Sequence, residues 1–312
     1  MDTTALVLDA PRRLRLERMP LPAVQDGDVV VDVHWSGVSA GTEKLLWTGE
    51  MPPFPGLAYP LVPGYEAVGR ITHVGAHSGR SAGEWVFVPG ASCFGSIRGL
   101  FGADATRLVV PGDRPIRIRD TVGEAGSLLA LAATALHALR RGPTEEPLLI
   151  VGHGALGQLI ARLATALRTA PPVVWEINPT RRVGSGYAVI APDDDDAGRR
   201  YACVIDASGH KSILNTAMPR LLRGGTIVLA GFYSRLTFDF VPAFLREAEV
   251  RVAAEWTPTD LHDVARLVDE GTLDLDGIIT HRIDARRAPS DYANAFQDPT
   301  CVKLLLDWRE MA

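Results

Sequence analysis

The residues of this sequence best placed for chemistry are three glycines. In Leu148-Leu149-Ile150-Val151-Gly152-His153-Gly154-Ala155-Leu156-Gly157-Gln158-Leu159 an apolar run of buried-strand character leads directly into G-x-G-x-x-G and then into an amphipathic helical pattern. That arrangement suits a pyrophosphate. Gly152 permits the tight turn, Gly154 lets phosphates approach the backbone, Gly157 allows close packing of helix on strand, and the helix opening at Ala155 and Leu156 offers unpaired N–H groups. Roughly 20 residues past the motif stands Glu176, whose carboxylate can accept hydrogen bonds from adenosine ribose hydroxyls. A 2′-phosphate would meet that negative charge, so the expected cofactor is NAD, with Arg181 and Arg182 close enough to keep dual use open. A glycine-rich strand-helix turn with no ligand is the alternative. His153 is expected near the pyrophosphate, acting through its backbone rather than its imidazole.

A site of this kind must be held by parallel strands. Apolar runs at 147–151, 173–177, 201–206 and 226–230 read as strands, and 155–167 and 213–222 read as helices. A further helix is expected over 124–141, closed by Arg140-Arg141-Gly142-Pro143. Strands alternating with helices imply βαβ units and a doubly wound parallel sheet, giving an α/β class. Asp206-Ala207-Ser208-Gly209 and Ala230-Gly231-Phe232 fall at carboxyl ends of later strands, where such sheets bind ligands, so Ala207, Ser208 and Gly231 are expected walls on the nicotinamide side. From residue 5 to about 110, short alternating and β-branched runs cut by Gly and Pro read instead as an all-β region. The tail after 278 returns to strand-like and helical pieces and is expected to pack on that first region. The predicted domains are thus 1–122 with 278–312, and 123–277. Asp193 to Asp196 reads as a solvated loop or helix start.

The chain of 312 residues carries 32 Lys plus Arg against 37 Asp plus Glu, a net charge of −5, which gives no global attraction for nucleic acid or an anionic membrane. Nucleic acid is therefore excluded as a partner. Cys93, Cys203 and Cys301 lie far apart and form no CxxC, which argues against a disulfide framework or a sulfur-rich zinc site and suits a reducing cytoplasm. The N-terminus lacks a basic stretch before an apolar core, and no run approaches the roughly 18 apolar residues of a spanning helix. His73 and His77 are four apart but sit in a strand-turn pattern, so no helical metal pair is expected. Lys44, Lys211 and Lys303 are the only lysines, which makes each worth locating.

Several ordered segments resemble the medium-chain dehydrogenase/reductase superfamily over nearly the whole chain. Gly37-Val38-Ser39-Ala40-Gly41-Thr42-Glu43 is similar to its G-x-C-G-T-D segment, and Pro63-Gly64-Tyr65-Glu66-Ala67-Val68-Gly69 to its P-G-H-E-x-x-G segment. Leu131-Ala132-Ala133-Thr134-Ala135 resembles the helix beside the nicotinamide, and Glu176-Ile177-Asn178 with Arg181 resembles the positions that hold the adenosine ribose. The resemblance implies a β-rich GroES-like catalytic domain interrupted by a Rossmann domain, and a homodimer through the Rossmann sheet edge near 226–230 and the segment after it.

Departures from the family's pattern are equally informative. Catalytic zinc needs three ligands and an open position. At the ligand positions this chain has Ala40, Tyr65 and Ala130; only Glu66 remains of the H-E pair, and residues 91–107, where the structural-zinc lobe would lie, hold only Cys93. A metal-free enzyme is expected. Oxidation of an alcohol then needs polar groups to carry the proton. Thr42 matches the family's Ser/Thr that hydrogen-bonds the substrate hydroxyl, and Tyr65 would place a phenol near the former metal site, its pKa lowered by Lys44 or by NAD⁺. A turn-capping Thr42, a packed Tyr65 and a surface Lys44 are the plainer readings. For Glu66, the expectation is an orienting contact or a buried ion pair.

The segment 44–60 is unusually aromatic and Pro-rich. Trp47, Met51, Phe54 and Tyr59 could line a pocket for a flat apolar molecule, or pack a core. The run from Ser39 to Gly49, the Pro63-Gly64-Tyr65-Glu66 variant and the missing lobe together resemble the bacteriochlorophyllide a dehydrogenase branch. That resemblance implies NAD-dependent oxidation of the 3-(1-hydroxyethyl) group of a tetrapyrrole to 3-acetyl, in bacteriochlorophyll a biosynthesis. The macrocycle's propionate would seek an Arg, with Arg98 and Arg235 unranked. Two other readings stand beside it: a zinc-free NAD(P)H quinone or enoyl reductase, and a non-catalytic nucleotide-binding protein.

Overall fold

The computed structural model describes residues 1–311 except 146 and 185. Along the chain, strands Asp2–Ala10 (β1), Arg13–Pro20 (β2) and Asp28–Val38 (β3) precede helix Thr42–Thr48 (α1). Then come strands Leu61–Val62 (β4), Ala67–Val74 (β5), Trp85–Val88 (β6), Arg98–Gly99 (β7), Arg107–Pro111 (β8) and Ile116–Arg117 (β9). A 3₁₀ stretch, Asp120–Leu128, leads into helix Leu129–Arg141 (α2), strand Leu148–Val151 (β10), helix Ala155–Leu167 (α3) and strands Val173–Trp175 (β11), Ala188–Ile190 (β12) and Tyr201–Asp206 (β13). Helix Ile213–Ala217 (α4), strand Leu221–Leu229 (β14), helix Phe240–Arg246 (α5), strand Glu249–Val252 (β15) and helix Pro258–Asp269 (α6) follow. The tail holds strand His281–Asp284 (β16), helices Ala288–Asp291 (α7) and Asn294–Gln297 (α8), and strand Leu304–Asp307 (β17).

The chain divides into one unit of Met1–Ala130 with Asp276–Ala312 and another of Leu131–Leu275. In the first, a sheet ordered β16-β17-β3-β5-β6-β9, with β8 also on β3, faces a smaller sheet's residues in a shared core; that smaller sheet runs β2-β1-β4-β7. Val29, Val30, Val31 and Val33 of β3 are fully buried, each contributing roughly 1.5–3 kcal/mol relative to exposure. The tail belongs to this unit because β17 pairs antiparallel with β3, from Leu304 opposite Val38 to Asp307 opposite Trp35, and buries Leu304, Leu305, Leu306 and then Trp308.

The second unit is a six-stranded parallel sheet ordered β12-β11-β10-β13-β14-β15. Its central strands read as unbroken apolar runs because helices cover a parallel sheet on both faces. The direction of winding reverses between β10 and β13, and the crevice at that point, beyond the carboxyl ends of the strands, is where open α/β sheets take ligands.

Three expectations change. The helix expected over 213–222 is only five residues long, because Pro219 opens a 3₁₀ turn at Met218–Arg220 and β14 already begins at Leu221. Residues 124–141 are α-helical only from Leu129; Gly123 sits at φ 54°, and Gly126 packs so closely on Ile118 and Val68 that a methyl there would lie 2.6 Å from Ile118. The stretch 120–141 is long and apolar enough by composition to cross a membrane, yet 61% of its most apolar window is buried inside the protein, as a core helix is. Asp195, expected in a solvated loop, is buried instead and accepts hydrogen bonds from Trp175 Nε1 (3.1 Å) and the Tyr201 hydroxyl (2.6 Å) beside Arg220 (3.1 Å).

Candidate active site

The three motif glycines divide by what surrounds them. Gly152 has φ 96°, and a methyl on it would lie 3.1 Å from Ser208; one on Gly157 would collide with the Gly152 carbonyl. Both are required by the fold. Gly154 meets nothing within 4 Å, and it caps the 13-residue α3 without any side-chain hydrogen bond. The first four N–H groups of that helix, Gly154 to Gly157 with Ala155 and Leu156 between, have no carbonyl partner within it. Positive helix-end charge thus faces open space, as an anion site needs.

Glu176, at the end of β11, is 7% exposed. Its Oε2 accepts the His153 N–H (2.8 Å) and its Oε1 the Asn178 N–H (2.7 Å), so one carboxylate ties the glycine turn to the following loop. Asn178 Oδ1 accepts from the Thr180 N–H (3.1 Å) and hydroxyl (2.8 Å), holding the turn that carries Arg181. The Arg182 guanidinium donates to the carbonyls of Glu176 and Ile177, both at 2.7 Å. Beside the backbone N–H of His153, its ring is engaged as well. Its buried imidazole bridges the Arg181 carbonyl (Nδ1, 2.6 Å) and the Tyr187 hydroxyl (Nε2, 2.9 Å), and since a carbonyl only accepts, Nδ1 carries the proton and Nε2 accepts from Tyr187. Burial lowers its pKa, which keeps the ring neutral. Tyr187 had no sequence signal: it lies 30 residues past the motif in an irregular stretch.

On the other side of the crevice, Asp206 is fully buried at the end of β13. It accepts from the Ser208 N–H (3.0 Å) and hydroxyl (2.6 Å), the Gly209 N–H (3.3 Å) and the Tyr233 hydroxyl. Ala207 is half-buried and Ser208 exposed, while Thr134 is half-buried on α2.

In the first unit, α1 and the loop after β4 bring the hydroxyls of Ser39, Thr42 and Tyr65 together. Tyr65 is 8% exposed and donates to Ser39 Oγ (2.8 Å), and Thr42 also hydrogen-bonds it. Having given its one proton to Ser39, Tyr65 must accept from Thr42. Against the expected lowering of the Tyr65 pKa by Lys44, burial, then Glu66 and Glu43, push it up, and Lys44 is a solvent-exposed side chain. Glu66 makes a buried ion pair with Lys303 from the tail. Two further carboxyls lie close by. Glu43 accepts the Ser39 N–H (2.8 Å) and the Tyr292 hydroxyl, and burial pushes its pKa up to about 7. Asp104 accepts from Ser36 Oγ (2.6 Å), itself held by Trp308 Nε1 (2.9 Å), and burial raises it too. With Lys303 committed to Glu66, the other two carboxyls are driven toward their neutral forms. Ser39, Asp104 and Tyr292 went unrecognised because nothing in their spacing joins residues up to 253 apart in this arrangement.

These residues do not fit a catalytic zinc. Ala40 and Ala130 offer methyl groups, Tyr65 is bonded to other hydroxyls, and Glu66 is committed to Lys303; among the described residues no group of three His, Cys, Asp or Glu is placed to hold a metal.

Of the aromatic segment, Met51 is buried with Leu8, Leu46, Leu61 and Leu100, and Trp47 packs on Tyr292 (5.7 Å between ring centres). Tyr59 spends its hydroxyl on the Leu46 carbonyl (2.6 Å). Phe54 remains half-buried and meets Phe101 edge-on (6.3 Å), which in turn meets Tyr65 (5.5 Å), so an aromatic path runs from the hydroxyl group to the surface. Arg98, exposed, donates to the Gly56 carbonyl (3.3 Å) beside that path; Arg235 is an exposed residue of the other unit.

The alcohol dehydrogenase GroES-like domain family matches residues 25–120. Two proteins named 2-desacetyl-2-hydroxyethyl bacteriochlorophyllide A dehydrogenase, from Rhodobacter capsulatus and Cereibacter sphaeroides, are 47% and 50% identical to the chain; the matches cover 99% of both proteins in the first case and 100% in the second. Among solved structures, 2R,3R-butanediol dehydrogenase from Bacillus subtilis has the same fold at a TM-score of 0.83 and 19% identity, over 98% of this chain and 99% of that one. With such identity over its whole length, the chain belongs to the bacteriochlorophyllide a dehydrogenase family of the medium-chain dehydrogenase/reductase superfamily, with a GroES-like and a Rossmann domain.

Proposed function

We propose that the protein oxidises the 3-(1-hydroxyethyl) group of a chlorophyllide or bacteriochlorophyllide to 3-acetyl, with NAD and without a metal, as a step of bacteriochlorophyll a biosynthesis. The names of the two full-length relatives support the substrate class. The observation that carries the metal-free reading is the chain of hydroxyls, Thr42 to Tyr65 to Ser39, standing where zinc ligands would be needed. When bound, NAD supplies the acceptor for the hydride leaving the carbinol carbon. Gly152, Gly154, Gly157 and the N-terminus of α3 would hold its pyrophosphate, Glu176 and Asn178 its adenosine ribose, and Ala207, Ser208, Gly231 and Thr134 its nicotinamide half. The Glu176 charge opposes a 2′-phosphate, and Arg182 is already spent on backbone carbonyls, which supports NAD over NADP.

Thr42, half-exposed at the outer end, accepts the substrate's hydroxyl proton as its own passes to Tyr65 Oη; the Tyr65 proton moves on to Ser39 Oγ as the hydroxyl proton of Ser39 is given up to water. The phenol works as a neutral relay, since burial, then the neighbouring Glu66, favours its protonated form. Phe54 and Phe101 would support the flat macrocycle, and Arg98, beside Gly56 on the same unit, could meet its carboxylate. Edge strand β15, with Val250 and Val252 exposed beside Phe240 and Phe244 of α5, would pair with a second copy as a homodimer. Among the described residues no disulfide joins the buried Cys93, Cys203 and Cys301, which supports the cytoplasm as the compartment. Tyr65→Phe and Thr42→Val should each lower kcat with the hydroxyethyl pigment and NAD⁺ by about 100-fold; turnover unchanged in both variants would remove the relay.

A further inference from the structure

Three strand-end turns of the Rossmann unit stand side by side, and the side chain that joins two of them takes no part in the chemistry above. The turn after β10 touches the one after β13, because a methyl on Gly152 would lie 3.1 Å from Ser208. The turn after β13 meets the one after β14 at two glycines, since a methyl on Gly231 would lie 2.8 Å from the Gly209 Cα and 2.7 Å from the Tyr233 hydroxyl oxygen. Gly231 is thus small to let Tyr233 fold back over its own turn. The Tyr233 hydroxyl then reaches the buried Asp206 carboxylate, which already accepts three donors from its own turn at Ser208 and Gly209. One carboxylate therefore fixes the turn after β13 internally, and one phenol locks the turn after β14 onto it.

The geometry points to Tyr233 as a positioning residue for the nicotinamide half of the dinucleotide, acting through Asp206. This rests on the reading that the crevice binds NAD. The sheet order separates the two halves of the cofactor: the adenosine-side groups, Glu176 and its loop, belong to β11 on one side of β10, whereas β13 and β14 lie on the other. Adjacent strands are about 4.8 Å apart, so the Tyr233 turn stands about 10 Å from the glycine turn and farther still from Glu176. Releasing it loosens the wall beside the nicotinamide while Gly154, Glu176 and the N-terminus of α3 keep their places. Precise placement of the nicotinamide is what hydride acceptance needs, since small misplacements of reacting groups cost rate steeply.

The test compares NADH with ADP-ribose, which shares the adenosine and pyrophosphate and lacks the nicotinamide. Tyr233→Phe keeps the ring and removes the hydroxyl; it should weaken NADH binding about tenfold and diminish the fluorescence change of the bound nicotinamide, with ADP-ribose affinity unchanged. Equal losses for both ligands would assign Tyr233 a merely structural role, and no loss for either would remove the role altogether. In the unaltered protein, NADH should slow amide hydrogen exchange at residues 207–209 and 231–233 where ADP-ribose does not; equal protection by the two overturns the proposal independently of whether the variant folds. If the unaltered protein binds neither ligand, it is the NAD reading itself that fails, and the proposal with it.

Discussion

Glu43 enters the fold as an acidic residue in the first turn of α1 and is buried there, with the Lys303 ammonium already given to Glu66. Its pKa rises from 4.5 to about 7, so between these values the native state holds a proton that the unfolded chain has released. Stability is therefore lost as pH rises through that window, by at most about 1.4 kcal/mol per pH unit. Glu43→Gln keeps an acceptor and cannot ionise. It should melt near the wild type at pH 5 and gain on the order of 1–3 kcal/mol by pH 8; thermal melts showing a gap independent of pH would contradict this. The role of Glu66 was half legible, since a carboxylate beside Tyr65 implied an ion pair or an orienting contact. Its partner was not: Lys303 is 237 residues away, and only the return of the tail along β3 brings it near. The direction of the Tyr65 shift was unreadable for the same reason, as it is set by burial and then by the buried acids Glu66 and Glu43.

At the scale of the element, the strand-glycine-helix unit separates residues the fold needs from those a ligand needs. Gly154 has extended backbone angles, φ −75° and ψ −171°, and open space around it, so Gly154→Ala should leave the melting temperature unaltered while weakening NAD⁺ binding about tenfold. Gly157→Ala drives a methyl into the Gly152 carbonyl and should cost about 3 kcal/mol or more of stability, helix propensity notwithstanding. Calorimetric titration of both variants beside their thermal melts reads the two effects separately; reversal of the pattern would mean that the ligand does not approach over Gly154. The spacing of the three glycines was enough to find this unit and the limits of α3, because local rules govern a turn between strand and helix. Local rules fail where one residue overrides them, as Pro219 does in ending α4 early, and where distant partners decide, as Trp175, Tyr201 and Arg220 do in burying Asp195.

For the whole molecule, α5 and β15 carry several exposed apolar side chains in the second unit, with Phe240 at 69% and Val252 at 61%. Placing lysine at Val252 and Phe244 together should shift the protein from dimer to monomer in sedimentation at micromolar concentration, and an unchanged sedimentation coefficient would contradict pairing at this edge. The change from alternating β pattern to strand-helix alternation made the two textures legible in the sequence, and the strand-like pieces after 278 pointed the tail back to the first region, while the pairing of β17 with β3 and its register carried no local signal. The central claim is oxidation of a tetrapyrrole alcohol by a hydroxyl relay in place of zinc. Its most direct test is the absorbance of the purified protein with NAD⁺ and 3-(1-hydroxyethyl) bacteriochlorophyllide a, in the continuous presence of a metal chelator. The account predicts NADH formation together with a red shift of the pigment's long-wavelength band, at a rate the chelator does not alter; protein that binds NAD⁺ yet changes neither signal, or does so only when zinc is supplied, would contradict it.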